Sequence, residues 1–160
     1  MTKLTVITES WPTLGVDSIY LNKAFRELGS EVDICIYTTS KDGYSVVTGG
    51  NNILIHRVES VPHRASKRFY DNIYDQIKMN ASDVLYTISP TSDFFVKASK
   101  NIAHWPAGKN VDKNIAHNYS YHVTFDSQHK ADLASIGVPG SNIFIMTPND
   151  ICNTIKNIIS

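Results

Sequence analysis

The feature of the sequence that most constrains its fold is a regular alternation of short β-branched segments with helical ones. Residues 4–8, LTVIT, are apolar toward both faces, as a strand in the middle of a parallel sheet requires. A helix is predicted from Asp17 to Leu28, and Gly29 closes it where glycine commonly ends a helix. A second strand follows at residues 32–37. Strand, helix and strand in this order predict a parallel βαβ unit with a right-handed crossover.

The same rhythm continues along the rest of the chain. Further strands are predicted at residues 44–47, 53–58, 83–88, 101–105, 121–125 and 143–146, and further helices at residues 66–78, 91–100, 127–136 and 151–159. One or both of the first two of these strands extend the edge of the sheet. The pattern predicts a single doubly wound α/β domain over residues 1–160, with a Rossmann-like, mostly parallel sheet and helices on both faces.

Charge and composition narrow the function classes. The chain has 15 basic and 15 acidic side chains, which argues against bulk electrostatic capture of nucleic acid or an anionic membrane. Its apolar runs are too short to cross a bilayer, and no signal peptide is recognised. Cys35 and Cys152 stand outside any CxxC motif, which predicts a reducing, cytoplasmic setting. The histidines show no metal-ligand spacing, so neither a metal nor a bound cofactor is expected.

Candidate site residues lie where the predicted strands end, because ligands of an open parallel sheet bind outside the carboxyl ends of its strands. His104 closes a short strand and is followed by Trp105 and by a Pro-Ala-Gly turn at residues 106–108. A histidine in that place could take a proton from an attacking hydroxyl near neutral pH, or it could be a hydrogen-bonded structural histidine. Ser89 and Ser127 also follow strand ends, where no GxSxG motif marks a nucleophile.

The loop after the first strand is a candidate phosphate site. Residues 9–16 contain one glycine rather than the three of a dinucleotide-binding fingerprint, so NAD binding is not predicted. Backbone N–H groups at Leu14, Gly15 and Val16 could still approach a phosphate at the start of the helix, or the loop is an ordinary strand-to-helix turn. Trp11 lies in the same loop.

Five segments match a known succession of motifs. They are VITESWPTLGVDSIYLNKAFRELGSEVDICIYT at 6–38, ILIHRV at 53–58, SDVLYTISP at 82–90, IAHWPAG at 102–108 and YHVTFDSQHKADLASIGVPGSNIFIMTPND at 121–150. In this order they resemble the amino-terminal, acceptor-side half of GT-B glycosyltransferases, closest to the retaining glycosyltransferase family 4, which includes phosphatidylinositol mannosyltransferases and sucrose synthases. The family's motifs include a helix ending in LxxxGHEV, where this chain has Ser30 in place of the histidine, and a segment of the form GVPxxKIxVIPNGVD, to which residues 137–150 are similar with a shortened end.

The resemblance implies transfer of a sugar from a nucleotide-sugar to an acceptor hydroxyl. His104 matches the family's histidine and would be catalytic, while Leu14, Gly15 and Val16 would contact the donor phosphates. Because this half of the family's fold holds the acceptor, the acceptor-binding candidates are the aromatic and hydroxyl residues at strand ends. They are Trp11, Ser89, Trp105 and Ser127.

The chain departs from the family in length. The family's donor-binding domain begins after the segment matched by residues 148–150, and here only residues 151–160 follow, so the second GT-B domain is expected to be absent. The chain would then act with a donor-domain protein, or be a fragment of a longer enzyme.

Two further hypotheses remain. One is a non-catalytic binding or regulatory module derived from an acceptor domain, and the other is a compact stand-alone enzyme acting on a nucleotide or sugar phosphate. An exposed half-cleft could also be covered by a second copy of the chain. Nucleic acid is not favoured as a partner, although a modified-DNA acceptor stays open.

Overall fold

The computed structural model describes residues 3–8, 15–40, 45–48, 50–59, 84–90 and 98–160. Its strands are β1 (Lys3–Ile7), β2 (Asp33–Ser40), β3 (Ser45–Thr48), β4 (Ile53–Glu59), β5 (Val84–Ile88), β6 (Lys100–Trp105), β7 (Tyr121–Thr124) and β8 (Ile143–Ile145). They form an 8-stranded sheet in the order β3-β4-β2-β1-β5-β6-β7-β8. All neighbours are parallel except β3 and β4, which pair antiparallel at one edge.

Helices cover both faces of this sheet. They are α1 (Gly15–Leu28), α2 (Ser127–Ser135) and α3 (Ile151–Ile159). On one face, α1 and α3 pack together over the central strands, and the large buried side chains there include Phe25, Leu4, Ile36 and Tyr86. On the opposite face, Leu133 of α2 packs on β6 and β8. The predicted doubly wound, mostly parallel α/β fold is therefore confirmed.

The predicted elements agree with the described ones to within a few residues, and α3 agrees at both ends. Asp126 caps α2, since its side chain accepts a hydrogen bond from the Gln128 N–H at 2.9 Å. The predicted helix at 66–78 lies outside the described residues, as do residues 91–97 of the predicted helix at 91–100. That second helix cannot reach residue 100 as predicted, because Lys100 is already the first residue of β6.

The carboxyl end of α3 is held by a lysine from the sheet. The Lys100 ammonium donates hydrogen bonds to the carbonyls of Ile158, Ile159 and Ser160, at 2.6, 3.1 and 3.1 Å. The last carbonyls of a helix have no partner within the helix, and a cation there also complements the helix dipole. Lys100 therefore fixes α3 against the beginning of β6. None of the described helices is long and apolar enough to cross a membrane.

Gly29 ends α1 for a reason that the sequence did not reveal. Its backbone is not in the left-handed conformation that makes glycine common after helices. A Cβ at Gly29 would instead lie 2.9 Å from Cγ1 of Ile53 at the start of β4. Glycine is required because α1 and β4 approach closely at this point.

Replacing Gly29 with alanine should therefore destabilise the fold. Gly29→Ala forces Ile53 or the end of α1 to shift, and overpacking of this kind costs roughly 1–3 kcal/mol. Gly140→Ala is the matched control, because Gly140 has ordinary φ and no atom within 4 Å of the added Cβ. Urea unfolding of both variants measures the difference, and equal stability of the two would contradict the close-approach explanation.

Candidate functional site

The carboxyl ends of the central strands carry a layer of buried side chains on the face that α1 covers. Ile7 of β1 pairs in register with Tyr37 of β2 and Thr87 of β5. The next residues along the chain, Thr8, Thr38 and Ile88, therefore lie at the same level of the sheet and form one layer. Ile88 pairs with His104 of β6, which extends the layer. The strand order reverses between β1 and β5, and ligands of open α/β sheets bind beyond the strand ends at such a point.

Thr38 carries an unsatisfied hydroxyl in this layer. The side chain is buried, and Oγ1 has no hydrogen-bond partner among the described residues. A buried hydroxyl left unpaired costs roughly 1–3 kcal/mol, so each such group in a folded protein needs an explanation. A ligand group at the carboxyl edge would supply the missing partner.

His104 is fixed by a tyrosine from the strand beside it. The side chain is 0% exposed, and its Nδ1 lies 2.6 Å from the Tyr86 hydroxyl, within hydrogen-bond distance. This short contact fixes the orientation of the imidazole ring and occupies one of its two nitrogens.

A line of rings connects His104 with the protein surface. The Phe125 ring lies 5.8 Å from the His104 ring, edge to face, and 6.0 Å from the Tyr20 ring. Tyr20 belongs to α1 and is 42% exposed. In the described structure His104 is therefore the buried end of this line and Tyr20 its exposed end.

Ser89 has an unusual backbone at the end of β5. Its φ is 57°, in the left-handed region that residues other than glycine rarely adopt, and its N–H donates to the His104 carbonyl at 2.9 Å. Such conformations cost roughly 1–3 kcal/mol and concentrate at functional sites. Ser89 and His104 thus lie together at the carboxyl edge of the neighbouring strands β5 and β6, and their role in a site stays a prediction.

Trp105 points away from His104, because neighbouring residues of a strand face opposite sides of the sheet. It is 3% exposed and packs on the face that α2 covers. Its indole N–H donates to Nδ1 of His122 at 3.0 Å, and the two rings are nearly coplanar, with an interplanar angle of 9° and centroids 6.2 Å apart. Contact of Trp105 with an acceptor stays a prediction, and its described contacts are those of a core residue.

The structure describes only some of the other predicted site residues. Ser127 is exposed at the first position of α2. Gly15 and Val16 are the first two residues of α1, which begins two residues earlier than predicted. Their N–H groups therefore belong to the first turn, where N–H groups have no partner within the helix. Trp11 and Leu14 lie outside the described residues. Phosphate contact at residues 14–16 stays a prediction.

The remaining described histidines do not form a metal centre. His129 is buried between the Thr124 hydroxyl, 2.7 Å from Nδ1, and the Lys109 carbonyl, 2.5 Å from Nε2. The His56 ring stacks on Tyr37 at 4.6 Å. Across the part of the chain that the structure describes, no three His, Cys, Asp or Glu side chains lie close enough to hold a metal ion.

A groove of about 320 Å³ runs between α1 and the segment that leads into α3. It is lined by Tyr20, Lys23, Glu27 and Asn149, among others. No local sequence signal selects Tyr20, Lys23 or Glu27 of this groove, nor Tyr86 and Phe125. The strand residues of the site could have been assigned to the face of the sheet that α1 covers from the period-two alternation of the strands, for example along Leu4, Val6 and Thr8.

His122 should make the fold sensitive to acid. It is buried, its Nε2–H donates to the Tyr119 carbonyl at 3.1 Å, and burial lowers its pKa to about 4. An unfolded histidine takes up a proton near pH 6.5, so the unfolded state binds more protons between about pH 4 and 6.5. We therefore expect stability to fall as the pH drops through that window, by up to about 3 kcal/mol.

His122→Gln tests this expectation, because an amide can accept from Trp105 and donate to Tyr119 without titrating. Urea unfolding between pH 4 and 7 should show a flatter profile for His122→Gln than for the wild type. His117→Gln is the control, since His117 is exposed. An unchanged slope in His122→Gln would show that His122 does not cause the acid sensitivity.

Comparison with known proteins adds no family assignment. No protein-family model matches the chain, and no curated protein matches it.

Proposed function

We propose that the chain is the acceptor-side half of a GT-B-type glycosyltransferase, which moves a sugar from a nucleotide-sugar to an acceptor hydroxyl together with a donor-binding half. The observation that carries the proposal is the buried layer at the reversal of strand order, where Thr38 has an unpaired hydroxyl and Ser89 a left-handed backbone. Ligand binding is the ordinary explanation for both features at that place.

The first turn of α1 provides the second support. Its N–H groups, which have no partner within the helix, and the positive end of the helix dipole suit the diphosphate of a nucleotide-sugar. This is a binding role for the backbone of Gly15 and Val16, and it does not require the glycine-rich loop of dinucleotide-binding proteins. The donor half would come from another chain or from a longer form of this one.

His104 is the proposed general base. The Tyr86 hydroxyl holds Nδ1, so Nε2 would take the proton from the attacking acceptor hydroxyl. Because His104 is buried, the proposal requires the carboxyl edge to open around Phe125 and Tyr20 when donor and acceptor bind. The acceptor would lie in the groove beside Tyr20, whose exposed ring suits the apolar face of a sugar.

A non-catalytic binding module is the second candidate. The burial of His104 and its short contact with Tyr86 favour it, because these are also the features of a structural histidine. Both candidates would bind their ligand at the carboxyl edge of the sheet, but only the glycosyltransferase would turn over a substrate there. For either one we place the protein in a reducing compartment such as the cytoplasm, since Cys35 and Cys152 are both free thiols.

Nucleotide-sugar binding is the first test. We expect UDP-glucose or GDP-mannose to shift the amide resonances of the first turn of α1 and of Ser89 in an NMR titration, with a dissociation constant of about 1 mM because the proposed acceptor-side half would make only part of the contacts to the nucleotide-sugar. Uridine, which lacks the diphosphate, is the matched control and should leave the amides of the first turn of α1 unchanged. Absence of any shift with both nucleotide-sugars would contradict the proposal.

Turnover separates the two candidates. As a transferase, the protein supplied with acceptor and donor half should release the nucleoside diphosphate, and His104→Gln should slow this release roughly 100-fold or more while leaving nucleotide-sugar binding intact. His117→Gln is the control. Full activity in His104→Gln would remove His104 from catalysis, and binding without any turnover would favour the module.

A further inference from the structure

A cavity of about 440 Å³ lies at the opposite edge of the sheet from His104, where β1, β2 and β4 begin. We call it the amino-edge cavity. It is lined by Lys3, Asp33, Ile34, Cys35, Asn51, Asn52, Ile53 and Leu54. Its volume lies within the range of small-molecule sites in proteins, roughly 300–1,000 Å³.

Two side chains of opposite charge, Lys3 and Asp33, line this cavity. Lys3 and Asp33 are partners in register on the adjacent strands β1 and β2. Within the described residues no ion pair joins them. Both charges act on the half-buried Cys35 thiol: burial raises its pKa, the Lys3 ammonium lowers it and the Asp33 carboxylate raises it. Lys3 and Asp33 therefore both lie near the same wall of the cavity.

The rim of the cavity is held in a strained conformation. Asn51 has a φ of 46°, and its side-chain amide donates to the Arg26 carbonyl at 2.9 Å. The Asn52 amide donates to the Gly29 carbonyl at 3.0 Å. These bonds anchor the turn before β4 to the end of α1, and the side-chain oxygens of the two asparagines make no described hydrogen bond. The rim is thus pre-organised and keeps acceptors for a ligand.

The floor of the cavity is apolar. Leu54 is 43% exposed, which makes it one of the few large apolar side chains of the described residues that remain open to solvent. It pairs in register with Cys35 on β2, so the two form adjoining parts of one surface. A ligand that covered Leu54 would gain the hydrophobic free energy of burying this side chain, which is 43% exposed in the part of the chain that the structure describes.

We propose that the amino-edge cavity binds a free α-amino acid with an apolar side chain. The ligand carboxylate pairs with the Lys3 ammonium, its ammonium pairs with the Asp33 carboxylate and with the asparagine oxygens, and its side chain covers Leu54. A zwitterion satisfies both charges at once, which neither a simple anion nor a simple cation does. This site does not depend on the proposed glycosyl transfer, because it uses the other edge of the sheet.

The test is an NMR titration of the protein with L-leucine, L-methionine and L-phenylalanine. At about 20 mM, at least one of them should shift the Leu54 methyl resonances and the amides of Asn51 and Asn52, since a small pocket of this kind binds in the millimolar range. The matched probes for L-leucine are 4-methylpentanoate, which lacks the ammonium, and 3-methylbutylamine, which lacks the carboxylate. Each matched probe should bind at least tenfold more weakly.

Variants and a thiol probe complete the experiment. Lys3→Met and Asp33→Asn should each weaken amino-acid binding about two- to fivefold, the effect of losing one partly exposed charge contact. Lys113→Met and Asp112→Asn, both at exposed positions, are the controls. Bound ligand should also slow alkylation of Cys35 but not of Cys152, whose thiol donates to the Ala24 carbonyl at 3.0 Å in the α1–α3 groove.

Thermal unfolding of Lys3→Met and Asp33→Asn shows whether the variants are folded, and Leu54→Ser provides a third test that leaves both charges in place. Three outcomes would overturn the proposal. They are no shift with any of the three amino acids, equal binding of the deaminated probe, and wild-type binding by both charge variants.

Discussion

The structure depends on one constraint: a central parallel strand must bury both of its faces. β1 has strands on either side and side chains directed to both faces, so it cannot be stable until helices cover it. On one face α1 does so, with Phe25 set edge-on against Tyr86 of β5 at 5.5 Å. That contact fixes α1 over the point where the strand order reverses. The first turn of α1 therefore opens at the carboxyl edge, next to the polar layer.

Side chains along a strand alternate between the two faces of the sheet, and this alternation decides which residues can act together. Tyr86, His104 and Phe125 share the face of α1 and form one continuous group. Trp105 lies one residue further along β6, but it belongs to the other face, where it is held by His122. A site built on His104 therefore draws on residues from β5 and from the end of β7, not on its neighbour in the sequence.

Much of the fold could be predicted from the sequence because its signals are local. Period-two strands, capping residues such as Asp126 and the glycine- and asparagine-rich turn before β4 each act within a few residues. The site could be predicted only in part. His104 was found from its place at a strand end, but its partner Tyr86 is 18 residues away in the chain. The amino-edge cavity depends on the register of three strands, which no local pattern specifies.

We propose the carboxyl edge between β1 and β5 as a nucleotide-sugar site, and a crystal structure of the protein with UDP-glucose or GDP-mannose bound is the sharpest test of that assignment. The diphosphate should lie against the first turn of α1, with a ligand oxygen within hydrogen-bond distance of the Thr38 hydroxyl or of Ser89. A nucleotide bound elsewhere on the sheet, with this edge unchanged and Thr38 still unpaired, would contradict it.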